Sequence, residues 1–359
     1  VTSGANSIST DFGNYQYGSI AGMKFYDING NGIKDNGENG LSNWKIRMSG
    51  YKTDSVITDA TGNYSFANLH PGMYVLTEQQ KAEWVQTYPL QTNNYAHQID
   101  LQSGNILTNK NFGNAKSSSV SGKIFNDLNN NGINDAGEPG VPFWKIYVNG
   151  VRNDSATTGT DGLFSINNLS PGSYTLSQTL KTGWMQTFPS FPGTHTLTFT
   201  DGSDTSGIFF GNLQLGRASG NIFEDNDGDG LRDPNEQGMA YRSIKLSGAR
   251  TETIMADSLG NYLFTNLAIG TYYISVVPDT QWTQTIPPNR YTIVVTSSGQ
   301  NETGKNFGLF RYAAISGLVF NDFNGNGNRE PGETGISGWK LYFQNAVQFD
   351  SLSTNESGY

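Results

Sequence analysis

Apolar residues in this chain alternate with polar ones in short bursts. They do not recur at the three-to-four residue spacing of a helix face. WKIRMSG from Trp44 and WKIYVNG from Trp144 are runs of strand-forming residues, and the first leads into T-D-A-T-G-N-Y-S-F, where Asp59 and Gly62 are turn residues between two runs. An L-x-P-G turn follows at Leu69 to Gly72 and again at Leu169 to Gly172, each opening a further alternating stretch, Y-V-L-T-E and Y-T-L-S-Q. Period two sustained over five to seven residues predicts half-buried strands, and no segment holds a helical period. Six to eight short strands with turns every 8 to 12 residues, within about 95 residues, predict a β-sandwich. The recurring Trp, Tyr, Phe and Leu positions are then its core.

The pattern recurs along the chain. GMKFYDINGNGIKDNGENG from Gly22 reappears as GKIFNDLNNNGINDAGEPG from Gly122, GNIFEDNDGDGLRDPNEQG from Gly220 and GLVFNDFNGNGNREPGETG from Gly317. From Asp27, Asp127, Asp225 and Asp322 as origins, the repeats lie 100, 98 and 97 residues apart. Trp44, Trp144, Arg242 and Trp339 stand seventeen residues on, and Trp84, Trp184 and Trp282 stand fifty-seven on, each opening W-x-Q-T-x-P. A Phe-Gly pair closes each unit, and from Phe12, Phe112, Phe210 and Phe307 the next unit opens ten residues later in every case. That constancy predicts a fixed orientation between neighbours. The length differences fall between the second Trp and the closing Phe, which suggests a hairpin whose tip accepts insertions. The expected organisation is the last strands of a preceding repeat in residues 1–14, repeats at 19–114, 117–212 and 217–308, and the first half of a fourth at 313–359.

Composition narrows the function classes. The 359 residues include no cysteine, which removes disulfide frameworks, zinc ribbons, iron-sulfur sites and thiol nucleophiles. A net charge of −9 argues against a nucleic-acid partner. No run approaches the roughly 18 to 20 apolar residues of a membrane span, so no membrane contact is expected within the segment, and any leader or anchor is expected outside it. No nucleophile elbow or phosphate loop occurs, and the expectation is a protein that is not an enzyme. His70, His97 and His195 occupy unrelated places in the repeat, show no metal-ligand spacing and read as exposed loop residues.

The acids are concentrated: fourteen of 31 lie in the four twelve-residue motifs. Asp27 to Glu38 fits D-x-[DN]-x-[DN]-G-x5-E, an oxygen-ligand loop of EF-hand type. Calcium takes six to eight oxygens around a tight turn. Asp27, Asn29, Asn31, the Ile33 carbonyl, Asp35 and a bidentate Glu38 would supply them. The same roles fall to Asp127, Asn129, Asn131, Ile133, Asp135 and Glu138; to Asp225, Asp227, Asp229, Leu231, Asp233 and Glu236; and to Asp322, Asn324, Asn326, Asn328, Glu330 and Glu333. Four matches in register predict about one Ca2+ per repeat. The flanks read as strands, so these loops would staple a sheet and not switch a helix pair. Loop 3 carries five acids against three in each of the others and is expected to bind most tightly.

The combination G-x-x-F-x-D-x-N-x-N-G-x-x-D-x-G-E-x-G, T-D-x-x-G-x-Y-x-F, L-x-P-G-x-Y and N-F-G-N resembles the B-type repeats of bacterial surface adhesins, the SdrD B-like and Cna B-type domains with a prealbumin-like sandwich. The resemblance covers essentially the whole chain. It implies an all-β tandem array, extracellular at a bacterial cell surface: a calcium-stiffened stalk or fibre shaft presenting a distal adhesive domain. Partners would be neighbouring repeats, and a host or cell-surface ligand reached through domains outside this chain. Two other readings are that the repeats bind a host protein or glycan themselves, or that they self-associate as a filament subunit. Many Cna B-type domains also form a Lys-Asn isopeptide bond assisted by a carboxylic acid. In repeat 1, Lys24 holds an inward position that is Ile124, Ile222 and Val319 elsewhere, Glu78 stands where the others have Gln178 and Val276, and Asn111 stands where they have Phe209 and Asn306. The resemblance therefore suggests a Lys24–Asn111 bond with Glu78 as proton shuttle, set against a buried Lys24–Glu78 ion pair.

Overall fold

Strands form where the period-two runs lie. The structure, a computed structural model, describes residues 11–277, 279–344 and 349–359, so most of the segment assigned to a preceding repeat lies outside the described residues. The chain is all-β, with sheets arranged in tandem. Repeat 1 comprises β1 (Gly18–Tyr26), β2 (Lys45–Gly50), β3 (Asp54–Ile57), β4 (Asn63–Leu69), β5 (Gly72–Glu78), β6 (Trp84–Tyr88), β7 (His97–Leu101), β8 (Ile106–Leu107) and β9 (Phe112–Lys116). One sheet runs β4-β1-β9-β6 with β8 beside β1; the other runs β3-β2-β5-β7. β1 is antiparallel to β4 and parallel to β9, with Lys24 opposite Phe112 and Tyr26 opposite Asn114. Ile20, Trp44, Ile46, Tyr74, Leu76 and Phe112 fill the space between the sheets.

Repeat 2 follows the same plan with β10 (Ser118–Asn126), β11 (Lys145–Gly150), β12 (Asp154–Thr157), β13 (Leu163–Leu169), β14 (Gly172–Gln178), β15 (Trp184–Phe188), β16 (His195–Phe199) and β17 (Asp204–Gln214). Its closing strand β17 is continuous where repeat 1 breaks the ladder into β8 and β9. Repeat 3 repeats the series from β18 (Gly216–Glu224) to β26 (Phe307–Arg311), and in the fourth β27 (Lys340–Gln344) pairs antiparallel with β28 (Phe349–Ser353). Packing divides the chain into two units: one holds repeats 1 and 2 with residues 263–272 and 292–303, the other holds the rest of repeats 3 and 4. Among the described residues no helix is long and apolar enough to cross a membrane.

Two glycines explain part of the repeat signature. Phe25 bridges Gly40 just past the acidic loop, and a Cβ on Gly40 would lie 1.8 Å from the Thr61 carbonyl oxygen. Gly62, at φ +83°, presses on the Gly40 backbone and on the Lys24 carbonyl, so the loop's exit strand packs backbone to backbone. Tryptophan is the other fixed point. Trp44 meets Trp84 edge-on at 5.5 Å with the Lys81 ammonium 4.4 Å over its ring, and Trp144, Trp184 and Lys181 repeat the arrangement. Repeat 3 inverts it: Arg242 replaces the first Trp, stacks 4.9 Å over Trp282 and pairs with Asp279 at 2.6 Å.

The variable segment is a crossover and not a hairpin. β6 lies in one sheet and β7 in the other, and the connection from Pro89 to His97 shortens to Pro189–His195 and Pro287–Tyr291. Once this is allowed for, His97 and His195 occupy the same place, contrary to their expected unrelated positions. Each is half-buried, abuts Phe112 or Phe210 at 5.0 Å, and meets the carbonyl of Asn111 or Phe209 through Nε2. Tyr291 donates to the Asn306 carbonyl at the same place in repeat 3.

Candidate metal loops and a buried lysine triad

Each acidic loop leaves the end of the sheet's first strand and returns at the Phe–Gly bridge, so its ends are held by the fold. In the first loop Asp27 is fully buried; its two carboxylate oxygens accept from Asn31 N at 3.1 Å and Gly32 N at 2.8 Å. Glu38 closes the loop from the other side, taking Ile28 N on Oε1 at 2.9 Å and Asp35 N on Oε2 at 3.0 Å. Asn29 and Asn31 both reach Asp35 Oδ2 at 2.8 Å, and these amides hold the Asp35 carboxyl below its ordinary range. Loop positions three, five and nine therefore converge. Asp127, Asn129, Asn131, Asp135 and Glu138 reproduce the set, as do Asp322, Asn324, Asn326, Glu330 and Glu333. Ile33, Ile133, Leu231 and Asn328 turn their side chains to solvent, and their backbone N–H groups donate to Oδ1 of Asn31, Asn131, Asp229 and Asn326 at 2.7 Å.

Loop 3 provides the sharpest fit to a cation. One carboxylate oxygen from each of Asp225, Asp227 and Asp229 lies within 4.8 Å of the other two, and the last two acids stand where the other loops have asparagine. Asp233 has its carboxyl pushed up, first by desolvation and then by Asp227, Asp229, Glu236 and Asp225. Like charges gathered this closely destabilise the fold unless something positive lies among them. An all-oxygen donor set of buried end acids and converging middle side chains suits a hard divalent ion.

A second cluster lies inside repeat 1. Lys24, from β1, is fully buried with its ammonium 4.5 Å over Trp44. Its Nζ donates to Glu78 Oε2 at 2.5 Å and to Asn114 Oδ1, while Asn114 Nδ2 donates to Glu78 Oε1 at 2.7 Å. Burial lowers the Lys24 pKa to about 8, although Glu78 pulls the other way, and burial raises that of Glu78. The asparagine is not the expected one. Asn111 has the opposite strand parity to Lys24's neighbours on β9, and its Oδ1 accepts from Met23 N at 2.9 Å, patching the break between β8 and β9. Asn306 does the same for Asn221 N at 3.0 Å in repeat 3. Asn114 is the second asparagine of N-F-G-N, and the parallel register of β1 with β9 would have selected it. In repeat 2 the three positions are Ile124, Gln178 and Asn212, the last two exchanging amide hydrogen bonds at 2.8 and 3.0 Å; in repeat 3 they are Ile222, Val276 and Leu309.

Comparison with known proteins gives one family. The model of the SdrD B-like domain matches residues 18–118, 118–208 and 216–306. Serine-aspartate repeat-containing protein F of Staphylococcus epidermidis is 24% identical over 98% of this chain and 23% of its own length. Serine-aspartate repeat-containing protein D of Staphylococcus aureus strain Newman is 24% identical over 99% of this chain and 31% of its own. The chain thus spans a quarter to a third of these curated relatives. Among solved structures, a streptococcal ancillary pilin aligns over 83% of this chain and all of its own at 10% identity and a TM-score of 0.31, too low to decide anything.

Proposed function

Because the chain belongs to the SdrD B-like domain family, we propose that its repeats are a calcium-stabilised stalk or fibre shaft of a bacterial surface protein, extracellular, carrying an adhesive domain that lies outside this chain. The observation that carries the reading is the four loops in register, each with its end acids and middle side chains gathered at one place. A bound calcium ion would supply divalent charge against those acids. Asp27, Glu38 and their counterparts hold the loop ends through backbone N–H groups, and Asn29, Asn31 and Asp35 or their counterparts would turn oxygens toward the ion. Ion binding to the native state and not to the unfolded one adds stability by mass action, about 2.7 kcal/mol at a hundred times Kd. The role is mechanical. Chelation should lower the melting temperature and change the small-angle scattering profile; a chain that is indifferent to chelator on both counts refutes the reading.

The triad suggests a second element of the same role, an isopeptide from Lys24 to Asn114. Lys24 as the neutral amine attacks Asn114 Cγ, protonated Glu78, whose Oε1 faces Nδ2, passes its proton to that leaving nitrogen and takes up the one Nζ loses, and Nδ2 departs as ammonia. One Nζ–Cγ bond forms and one Cγ–Nδ2 bond breaks, with no oxidant required. The lowered Lys24 pKa and raised Glu78 pKa favour the protonation states this needs. Intact mass tests it: the wild-type chain should be lighter than its sequence by one ammonia.

A further inference from the structure

The two repeats of the first unit meet through a contact that recurs at equivalent residues. Four residues past each closing Phe stands a linker residue: Gln16, Lys116 and Gln214. Each is gripped on both sides of its backbone by a two-residue turn of the following repeat, Ser103-Gly104, Asp201-Gly202 and Ser298-Gly299. Gln16 N donates to Ser103 Oγ at 2.9 Å, Lys116 N to Asp201 Oδ1 at 2.6 Å and Gln214 N to Ser298 Oγ at 2.7 Å. In return Gly104 N, Gly202 N and Gly299 N donate to the carbonyls of Gln16, Lys116 and Gln214 at 2.9, 3.3 and 2.7 Å. The glycines stand at φ +72°, +64° and +70°, a left-handed turn that aims the preceding side chain and the glycine N–H at the same linker residue.

The turn's first residue also reaches the preceding repeat's acidic loop. Tyr26, immediately before Asp27, donates through its hydroxyl to Asp201 Oδ2. At the next joint Ser298 Oγ donates to Asn126 Oδ1 at 2.6 Å, immediately before Asp127, and Ser298 N donates to the carbonyl of Leu128, the second residue of that loop, at 3.2 Å. Loop 1 makes a further approach: a Cβ on Gly30 would lie 2.8 Å from the carbonyl oxygen of Pro171. Chemically different side chains, Tyr with Asp and Asn with Ser, thus make the same link at successive joints.

We propose that the Ser/Asp-Gly turn of each repeat is a docking tooth whose partner is the preceding repeat, seated on its linker and on the shoulder of its acidic loop, so that the state of the loop governs the stiffness of the joint. A tethered domain is free to reorient unless its interface holds it; here the interface is polar, small and built on the residue that enters the loop. The coupling to the loop rests on the calcium reading above, whereas the clasp does not.

Absence of cysteine makes the test direct. Ser65→Cys and Ser165→Cys, at exposed equivalent positions on β4 and β13, accept spin labels in the full chain with no background thiol. Pulsed dipolar spectroscopy of the calcium-loaded chain should give a narrow distance distribution. Asp201→Ala should broaden it with the melting transitions retained, and Tyr26→Phe, which removes one hydroxyl and keeps the ring against Trp84, should broaden it as well. Distributions unchanged in both variants overturn the clasp. In EDTA the wild type should broaden toward the Asp201→Ala distribution; a distribution that stays narrow in EDTA yet broadens in Asp201→Ala upholds the clasp and overturns its coupling to calcium.

Discussion

Converting the repeat 1 triad to the residues of repeat 2 decides between a covalent link and an ion pair by the sign of one stability difference. The variant is Lys24→Ile with Glu78→Gln, leaving Asn114, which recreates Ile124, Gln178 and Asn212. The replacement pair is known to fit, since Gln178 and Asn212 exchange two hydrogen bonds on the same scaffold. If wild-type repeat 1 carries only the Lys24–Glu78 ion pair, two buried charges with a 2.5 Å contact are being exchanged for an apolar and an amide group. Desolvation of such a pair commonly exceeds its attraction, and the variant should be as stable as wild type or about 1 to 4 kcal/mol more so. If the bond exists, the variant instead loses a cross-link between residues 90 apart. By the chain-entropy relation used for disulfides that closure is worth about 4.6 kcal/mol.

At roughly 4 to 8 °C per kcal/mol for a domain of this size, the linked case predicts that the repeat 1 transition falls by roughly 18 to 37 °C. Calorimetry of the full chain, with the transitions of repeats 2 and 3 as internal references, reads the difference. Intact mass reads the chemistry independently: wild type short of one ammonia, and the variant at full sequence mass. A variant that melts at or above wild type, with no ammonia missing from wild type, refutes the isopeptide and leaves the ion pair.

Three further outcomes are expected. In isolated-repeat calorimetry, loop 3 should bind calcium more tightly than loops 1 and 2, and stepwise chelation of the full chain should lower the repeat 3 transition last; equal affinities would sink the ranking. Burial, its largest cause, lowers the His97 pKa, so its neutral form is favoured in the fold. Its contribution is fully present above the unfolded value near 6.5 and is lost as pH falls toward the depressed folded value. Repeat 1 should thus lose stability below about pH 6.5, and His97→Tyr, copying Tyr291, should flatten that dependence; an unchanged slope overturns the assignment. Gly62→Ala would place a Cβ 2.3 Å from the Lys24 carbonyl at φ +83°, and urea titration should show repeat 1 destabilised by about 1 to 3 kcal/mol or more.

The sandwich, its strands and the four loops were legible because they rest on local signals: alternation, turn residues and a fixed ligand spacing. What escaped depends on pairing between distant strands. Asn111 precedes the closing Phe by one residue and Asn114 follows it by two, and only the parallel register of β1 with β9 tells which one shares a face with Lys24. The histidines looked unrelated because the crossover after Pro89, Pro189 and Pro287 varies in length, so counting from the loop aspartate shifts each position. The joint was visible only as a constant ten-residue spacing. Its chemistry was hidden because Tyr26 with Asp201 and Asn126 with Ser298 perform one role with different side chains.

The repeats vary most where a sandwich tolerates variation and least where they meet. Lys24, Glu78 and Asn114 become Ile124, Gln178 and Asn212, then Ile222, Val276 and Leu309, three chemically distinct fillings of one interior site. A core accepts such exchanges if volume and polar pairing are both satisfied. By contrast the loop, its Phe–Gly bridge, the ten-residue junction and the Ser/Asp-Gly turn persist through every complete repeat. In a tandem array, stability is the sum of each repeat's own and of its contacts with neighbours. A repeat can therefore replace one internal staple with another without disturbing the rest, whereas a change at the loop shoulder acts on two repeats together. On the reading proposed above, that asymmetry places the array's mechanical behaviour in the joints and leaves the resistance of each repeat to unfolding to its own interior and to whatever ion its loop would bind.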